Sequence, residues 1–543
     1  MSDAIRAELA RVAAALGADG AAFVLERPRD PSHGDLSTNL AMVLAKQQRA
    51  KPRALAERIV AMLVLPESVV ARTEIAGAGF INFWLAQDAL AGLLKTIIAA
   101  GPGYGRADFG RGLAVNVEFV SANPTGPLHV GHGRGAALGD GIAALLEWTG
   151  HAVTREFYVN DGGVQVERVI DSLRARLEEQ LGRPAVIPEG GYHGQYLVEM
   201  AQDLLRERPE LRTAGPAELL AACQVAPARI RQEQEDLLRD MRVTFGVWSF
   251  EHDVLDAGKV KAVLDLLAAR GLTYEQDGAL FLKTGEFGDD KDRVIRKSDG
   301  SLTYVLPDIA YHIGKHQRGF QRVIDVWGAD HHGYIPRMRA ALRALGYGED
   351  FFEVALVQLV KVTQGGEEVR MSKRSGEFVT LRDLIDWVGV DATRYFFLMR
   401  PGQSPFTFDV DLARKQTDEN PIFYVQMAHA RMSGIFRVAG RAPESAPGEV
   451  SVAALPAAED LELLKKLAPF PDVVAKAARM REPHRVTDYL EELARVAHAW
   501  YHRCRVLGEP PPIEAARLAL ARAARIVLSN GLGLLGLTAP DRM

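Results

Sequence analysis

The spacing of apolar side chains divides the chain into three stretches. In the first, apolar positions recur at helical intervals from Ala4 to Leu16, and a polar loop with Pro28, Pro31 and Gly34 follows. The pattern predicts a second helix over Leu36 to Gln47 and a β-like run over Thr73 to Leu85, closed by Gly101, Pro102, Gly103 and Gly105. From about Gly110 to Val388 short apolar runs alternate with helical stretches. Leu113 to Val120 reads as a strand, Val130 to Trp148 as a helix, Arg322 to Trp327 as a buried strand and Leu381 to Trp387 as a helix. Such alternation predicts a Rossmann-like parallel α/β sheet, with Val166 to Thr244 as a helical insertion. Beyond Gly389 the pattern is helical throughout, broken by a Pro/Gly/Ser-rich stretch at Gly440 to Pro456 and by prolines at 469, 471 and 510 to 512. The expected architecture is a small α+β domain over 1–105, an α/β domain over 106–388 with its insertion at about 166–244, and an all-α bundle over 389–543.

With 543 residues the chain is too long for one core, which agrees with this division. A net charge of −5 gives no global attraction to polyanions, so nucleic-acid binding has to come from local patches. From Val473 onward eleven Lys/Arg face seven Asp/Glu, an excess that fits either a solvated bundle or a basic surface. Two cysteines, Cys223 and Cys504, exclude a disulfide framework and a Cys-rich zinc site. Asp3 and Glu8 within the first helical pattern are unlike a secretory leader, and no apolar run reaches membrane-spanning length. A cytoplasmic protein with no membrane partner is expected.

The most informative segment runs Val117-Glu118-Phe119-Val120-Ser121-Ala122-Asn123-Pro124-Thr125-Gly126-Pro127-Leu128-His129-Val130-Gly131-His132. A strand enters a Pro/Gly turn and then a helix whose first turn carries His129 and His132, three apart and therefore on one face. Gly131 lets a ligand approach the backbone, and the helix N-terminus favours anions, which suits a triphosphate. A second segment, Val369-Arg370-Met371-Ser372-Lys373-Arg374-Ser375-Gly376, is a small-residue basic loop. Lys373 is a compact charge on a flexible stem, fit for β- and γ-phosphates. Either segment alone is weak: His-x-x-His is usually surface polarity, and a short basic loop is usually solvated.

Together they resemble the two signatures of class I aminoacyl-tRNA synthetases. His129-Val130-Gly131-His132 matches HIGH, and Arg370-Met371-Ser372-Lys373 matches KMSK with Arg in place of the first Lys. The flanking string from Glu118 to His132 is similar to arginyl-tRNA synthetases in particular. So are Phe157-Tyr158-Val159-Asn160-Asp161, Asp391-Ala392-Thr393-Arg394-Tyr395-Phe396, Asn420-Pro421-Ile422-Phe423-Tyr424-Val425-Gln426 and His33-Gly34-Asp35-Leu36-Ser37-Thr38-Asn39. The resemblance spans essentially the whole chain.

What the resemblance implies is ATP-dependent ligation of L-arginine to tRNA(Arg) through an arginyl-adenylate, by a monomer, with Mg²⁺ accompanying ATP. His129, His132 and Lys373 are the expected catalytic groups. Gly131, Gly328, Asp330, His331, Met371 and Ser372 would join them around ATP. A guanidinium needs carboxylates in a fork and an aromatic wall. The resemblance offers Glu118 and Asp308 as the carboxylates and Tyr304 as the wall, with Ser121 and Asn123 at the α-amino and carboxylate end. After Pro307, Asp308 could equally be a helix cap. His331 and His332 could be metal ligands, but no third ligand is spaced nearby, so no protein metal site is expected. The run Val326 to His332 lacks the Gln that many arginyl enzymes carry there, which leaves the contact to the substrate's α-carbon end open. The helical C-terminal domain would read the anticodon and the N-terminal module would touch the tRNA corner. The rivals are a lysyl or glutamyl class I enzyme and a non-enzymatic tRNA-binding paralogue. A glutamate pocket would need a basic residue where Glu118 and Asp308 stand.

Overall fold

The strand that feeds the first signature, Ala114–Glu118, lies at the centre of a five-stranded sheet. A computed structural model describes residues 2–28, 30–256, 258–369, 379–445 and 450–543. All five strands are parallel, in the order Phe352–Val357, Arg322–Gly328, Ala114–Glu118, Ala152–Val159, Val247–Phe250. Val115, Val117, Ile324 and Phe157 are buried, as expected where helices cover both faces of a parallel sheet. The helix Val130–Trp148 has the bounds its pattern predicts and is buried along most of its length. Gly139 lets it approach the sheet, since a Cβ there would strike the Phe119 ring.

The insertion folds as helices Gly163–Gln180, Gln195–Glu207, Pro216–Cys223 and Ala226–Asp240 with their own apolar cluster. A three-stranded antiparallel sheet, Thr273–Gln276, Ala279–Leu282 and Arg293–Arg296, lies farther along.

Three expectations need correction. Leu36–Thr38 is a strand paired with Ile81–Phe83, and the helix starts at Leu40. Ser37 belongs to the sheet because its hydroxyl donates to buried Asn82 at 2.7 Å. The run Thr73 to Leu85 is two strands, Val70–Ala76 and Phe80–Leu85, paired antiparallel, with Gly77 and Gly79 at positive φ between them. The chain after Gly389 is not helical throughout. Phe406–Asp409 is a strand parallel to Val360–Gln364. The helical run Leu381–Leu398 breaks at Gly389, whose φ of 80° and ψ of 165° are not helical.

The C-terminal helices Pro421–Val438, Ala458–Leu467, Phe470–Met480, His484–Arg503 and Pro511–Leu534 pack on the sheet's helices. Arg394, fully buried, joins the two: its guanidinium reaches Asp140 at 2.5 Å and the carbonyls of Met241 and Leu535.

Candidate active site

Parallel pairing sets Glu118 beside Asp325 on one neighbouring strand and beside Glu156 on the other. Three carboxylates in a row at this depth repel one another unless cations are supplied. The helix Val305–Gln317 supplies one. Lys315, fully buried, places its Nζ 2.5 Å from Glu118 and 3.1 Å from Asp325. Just beyond that helix Arg318 donates to both oxygens of Glu156 at 2.9 Å. Burial opposes the charge on Lys315, but Asp325, Glu118 and Glu156 outweigh it and hold the ammonium protonated. His312, one turn earlier, reaches Asp325 with Nε2 at 2.9 Å. Burial again opposes the charge and Asp325 overrides it, so the imidazolium is favoured.

Above this layer lies a cavity of about 210 Å³, lined by Glu118, Asp308, Asp325, His331 and the aromatic rings of Tyr158, Tyr311, Trp327 and Tyr334. Asp308 is not the N-cap of its helix; Tyr304 occupies that position. The Asp308 carboxylate accepts from the Tyr334 hydroxyl at 2.6 Å, and burial pushes its pKa above the ordinary carboxylate value despite that bond. Among the described residues its hydrogen-bond partner is thus a hydroxyl and not a cation. Glu118 already accepts from Lys315 and, at 2.9 Å, from Ser121. Burial raises the pKa of Glu118 as well, although Lys315 opposes it, so a cation entering the cavity would stabilise the anions of both Glu118 and Asp308.

Tyr304 is 84% exposed and outside the cavity. Tyr311, two turns along the same helix, stands against Tyr158 in its place, with ring centroids 4.8 Å apart. The structure thus sets Tyr311, and not Tyr304, against this cavity; chain separation alone does not say which side of the helix faces the sheet. Lys315, His312, Asp325 and Tyr334 were missed as well. The only available signal was the spacing of Asp308, His312 and Lys315, four and three apart, as on one face of a helix.

After Glu118 the backbone leaves the sheet through a strained turn. Val120 and Ser121 have φ of 69° and 40°, and Ser121 N donates to Phe119 O at 3.0 Å. A β-branched residue at positive φ needs outside support. The Ser121 hydroxyl supplies it, donating to Glu118 and accepting from Tyr158 N at 3.1 Å. The insertion grips the loop that follows. Buried Gln234 donates to the carbonyls of Asn123 and Gly126, and Tyr196 donates to that of Thr125. The Asn123 amide itself donates to Gln165 at 2.6 Å.

His129 caps the signature helix. Its Nδ1 accepts from Gly131 N at 3.1 Å and from His132 N at 3.4 Å, while His132 Nδ1 accepts from His129 N at 3.3 Å. Their rings stack with centroids 3.7 Å apart. With both Nδ1 atoms accepting, a neutral ring at either position carries its proton on Nε2. Gly131 has a reason beyond ligand approach: a Cβ would lie 2.9 Å from the His129 ring.

Gly328 ends its strand, and Asp330 and His331 follow with mostly exposed side chains. Residues Arg370, Met371, Ser372 and Lys373 of the second signature lie outside the described residues. Their flanks are described. Val369 N donates to Val362 O, Thr380 bridges His129, and Leu381 N donates to Leu128 O at 2.8 Å. The loop's downstream end is therefore tied to the start of the signature helix. Among the described residues no three His, Cys, Asp or Glu side chains converge as a metal site, and no helix is long and apolar enough to cross a membrane.

Comparison with known proteins finds matches along most of the chain. Residues 1–85 match the arginyl tRNA synthetase N terminal domain. Residues 99–190 and 227–395 match the catalytic domain of tRNA synthetases class I (R), and 425–543 match the DALR anticodon binding domain. An arginine–tRNA ligase of Geobacillus kaustophilus is 47% identical over 549 residues, covering 100% of this chain and 98% of the relative. One of Desulforudis audaxviator is 48% identical, covering 96% and 93%. The solved arginyl-tRNA synthetase of Thermus thermophilus superposes over all of both chains with a TM-score of 0.81 at 24% identity, a likeness of fold.

Proposed function

Because the chain belongs to the arginyl-tRNA synthetase family, we propose that it ligates L-arginine to tRNA(Arg) with ATP, through an arginyl-adenylate, releasing AMP and pyrophosphate. The observation that carries the reading is Asp308, a desolvated carboxylate whose hydrogen-bond partner among the described residues is a hydroxyl, in an aromatic cavity. A planar guanidinium supplies a positive charge and several in-plane donors. Tyr158, Tyr311 and Trp327 wall its faces, and Glu118, held by Lys315 and Ser121, offers its remaining acceptor capacity.

In the first step an arginine carboxylate oxygen attacks the α-phosphorus and pyrophosphate leaves. The Nε2–H groups of His129 and His132 donate to phosphate oxygens as charge develops there, at the amino end of a helix. Lys373 neutralises the leaving pyrophosphate. Gly131, Met371, Ser372, Gly328, Asp330 and His331 complete the nucleotide's surroundings. In the second step the 2′-hydroxyl of the terminal tRNA adenosine attacks the activated carbonyl and AMP departs. Ser121 and Asn123 hold the α-amino and carboxylate end, Ser121 already rigid at the strained turn. Glu118, Asp325 and Glu156 are taken by Lys315, His312 and Arg318, so they do not suit Mg²⁺; the ion enters as a companion of the ATP phosphates. The DALR-like helices would bind the anticodon and the N-terminal domain the tRNA corner, in the cytosol and with the enzyme as a monomer.

Arginylation of bulk bacterial tRNA by the purified protein tests the reading. ATP–pyrophosphate exchange that is selective for lysine or glutamate, or absent with every amino acid while tRNA still binds, would overturn it.

A further inference from the structure

The sheet carries a second concave site at its opposite end. Gly112 and Leu113 precede the strand Ala114–Glu118, His151 precedes Ala152–Val159, and Arg322 opens Arg322–Gly328. These amino-terminal strand ends form the floor of a cavity of about 590 Å³, remote from the carboxyl ends that bear Glu118 and Trp327. Arg479 and Arg481, from the end of the helix Phe470–Met480, close it from the C-terminal bundle.

Four guanidinium groups, Arg111, Arg322, Arg479 and Arg481, meet here. Among the described residues two carboxylates form salt bridges with them. Asp350 lies 3.7 Å from Arg322 but is 88% exposed, a pairing of little strength. Glu353 lies 3.3 Å from Arg481. The Arg481 side chain is only 9% exposed, and its Nε is buried without a hydrogen-bond partner. A desolvated donor of this kind is costly unless a ligand satisfies it. Arg481 is also held in the left-handed region at φ 57°, so its placement is imposed by the fold. Burial lowers its pKa, and neighbouring Arg322 adds to that effect despite Glu353. Phe109 provides a flat wall, with the Arg479 guanidinium 4.5 Å above its ring and His151 edge-on at 5.7 Å.

We propose that this cavity binds a small phosphorylated molecule carrying at least two negative charges, held by Arg322, Arg479 and Arg481 against Phe109. Guanidinium forks match phosphate oxygens, and the volume is that of a ligand pocket. Its concave shape, walled by strand ends and closed by a helix, suits a compact ligand better than a polymer backbone. The occupant would bridge the catalytic sheet and the C-terminal bundle.

The test is calorimetric titration of the full chain with inorganic tripolyphosphate, with a non-hydrolysable ATP analogue saturating the nucleotide site. A binding event near one per chain is expected. Arg322→Ala combined with Arg479→Ala should weaken it about 100-fold, at roughly tenfold per charged contact. Both positions are solvent-accessible, so arginylation at saturating substrates should be unchanged and serves as the folding control. Arg479→Lys should keep part of the affinity. An isotherm unaltered in the double variant would overturn the proposal. So would binding only at tens of millimolar, which would mean an adventitious ion only. A double variant that keeps the tripolyphosphate isotherm but loses affinity for tRNA would also overturn it, by assigning the arginines to the nucleic-acid surface.

Discussion

Asp308→Asn separates the two carboxylates offered to the guanidinium. The change keeps volume nearly constant and removes a charge whose hydrogen-bond partner among the described residues is the Tyr334 hydroxyl. A hydrogen bond to a charged group contributes about 1.5–3 kcal/mol. At about 1.4 kcal/mol per tenfold, kcat/KM for arginine should fall by roughly 10- to 150-fold, mostly through KM. Citrulline, uncharged, gains nothing from Asp308, so its kcat/KM should move little. The wild-type preference for arginine over citrulline, expected to be on the order of 10⁴, should shrink by the same factor. The acid limb of the pH profile gives a second readout. The Asp308 pKa is raised by burial, so its anion is present above that raised value and lost as pH falls through it. Arginine KM should therefore climb on acidification at a pH above the ordinary range of Asp titration, and Asp308→Asn should flatten that limb. ATP–pyrophosphate exchange with tRNA present measures all of this. If the variant loses thermal stability while arginine KM, the citrulline ratio and the pH limb stay put, Asp308 serves only as the acceptor for Tyr334 and the pocket assignment fails.

Lys315→Met removes the cation from beneath three adjacent carboxylates. Breaking a buried pair typically costs about 3–5 kcal/mol, so the catalytic domain's melting transition should drop by several degrees; an unchanged Tm would show that the carboxylates re-pair or protonate cheaply. Gly131→Ala should push the His129 ring out of its cap and its stack with His132, lowering the rate of adenylate formation by at least tenfold with arginine KM nearly constant; an unaltered single-turnover rate would count against the tautomer argument. Lys373→Ala should slow adenylate formation by roughly 10²–10³ with near-normal arginine binding, and an unchanged pyrophosphate exchange rate would remove Lys373 from the mechanism. From family resemblance, exchange should also require cognate tRNA, which robust exchange in tRNA-free enzyme would contradict.

Local chemistry was legible along the chain because it is local. The helix Val130–Trp148 follows from a period of 3.6, the strands at Ala114–Glu118 and Arg322–Gly328 from short apolar runs, and the turn before the helix from Pro124, Gly126 and Pro127. The two signatures and the family were likewise readable without coordinates. What the chain order could not contain is register. That Glu118 lies beside both Asp325 and Glu156 depends on parallel pairing between strands far apart in the chain, and that pairing is what demands Lys315. Which face of Val305–Gln317 meets the sheet decided between Tyr304 and Tyr311, because a helix has all its faces until something packs on one. Leu36–Thr38 became a strand because an edge at Ile81–Phe83 was waiting for it, a neighbour that propensity does not see. The four arginines at the far end of the sheet come from three separate segments of chain and converge only when the C-terminal bundle docks, so none of them stands out as a motif.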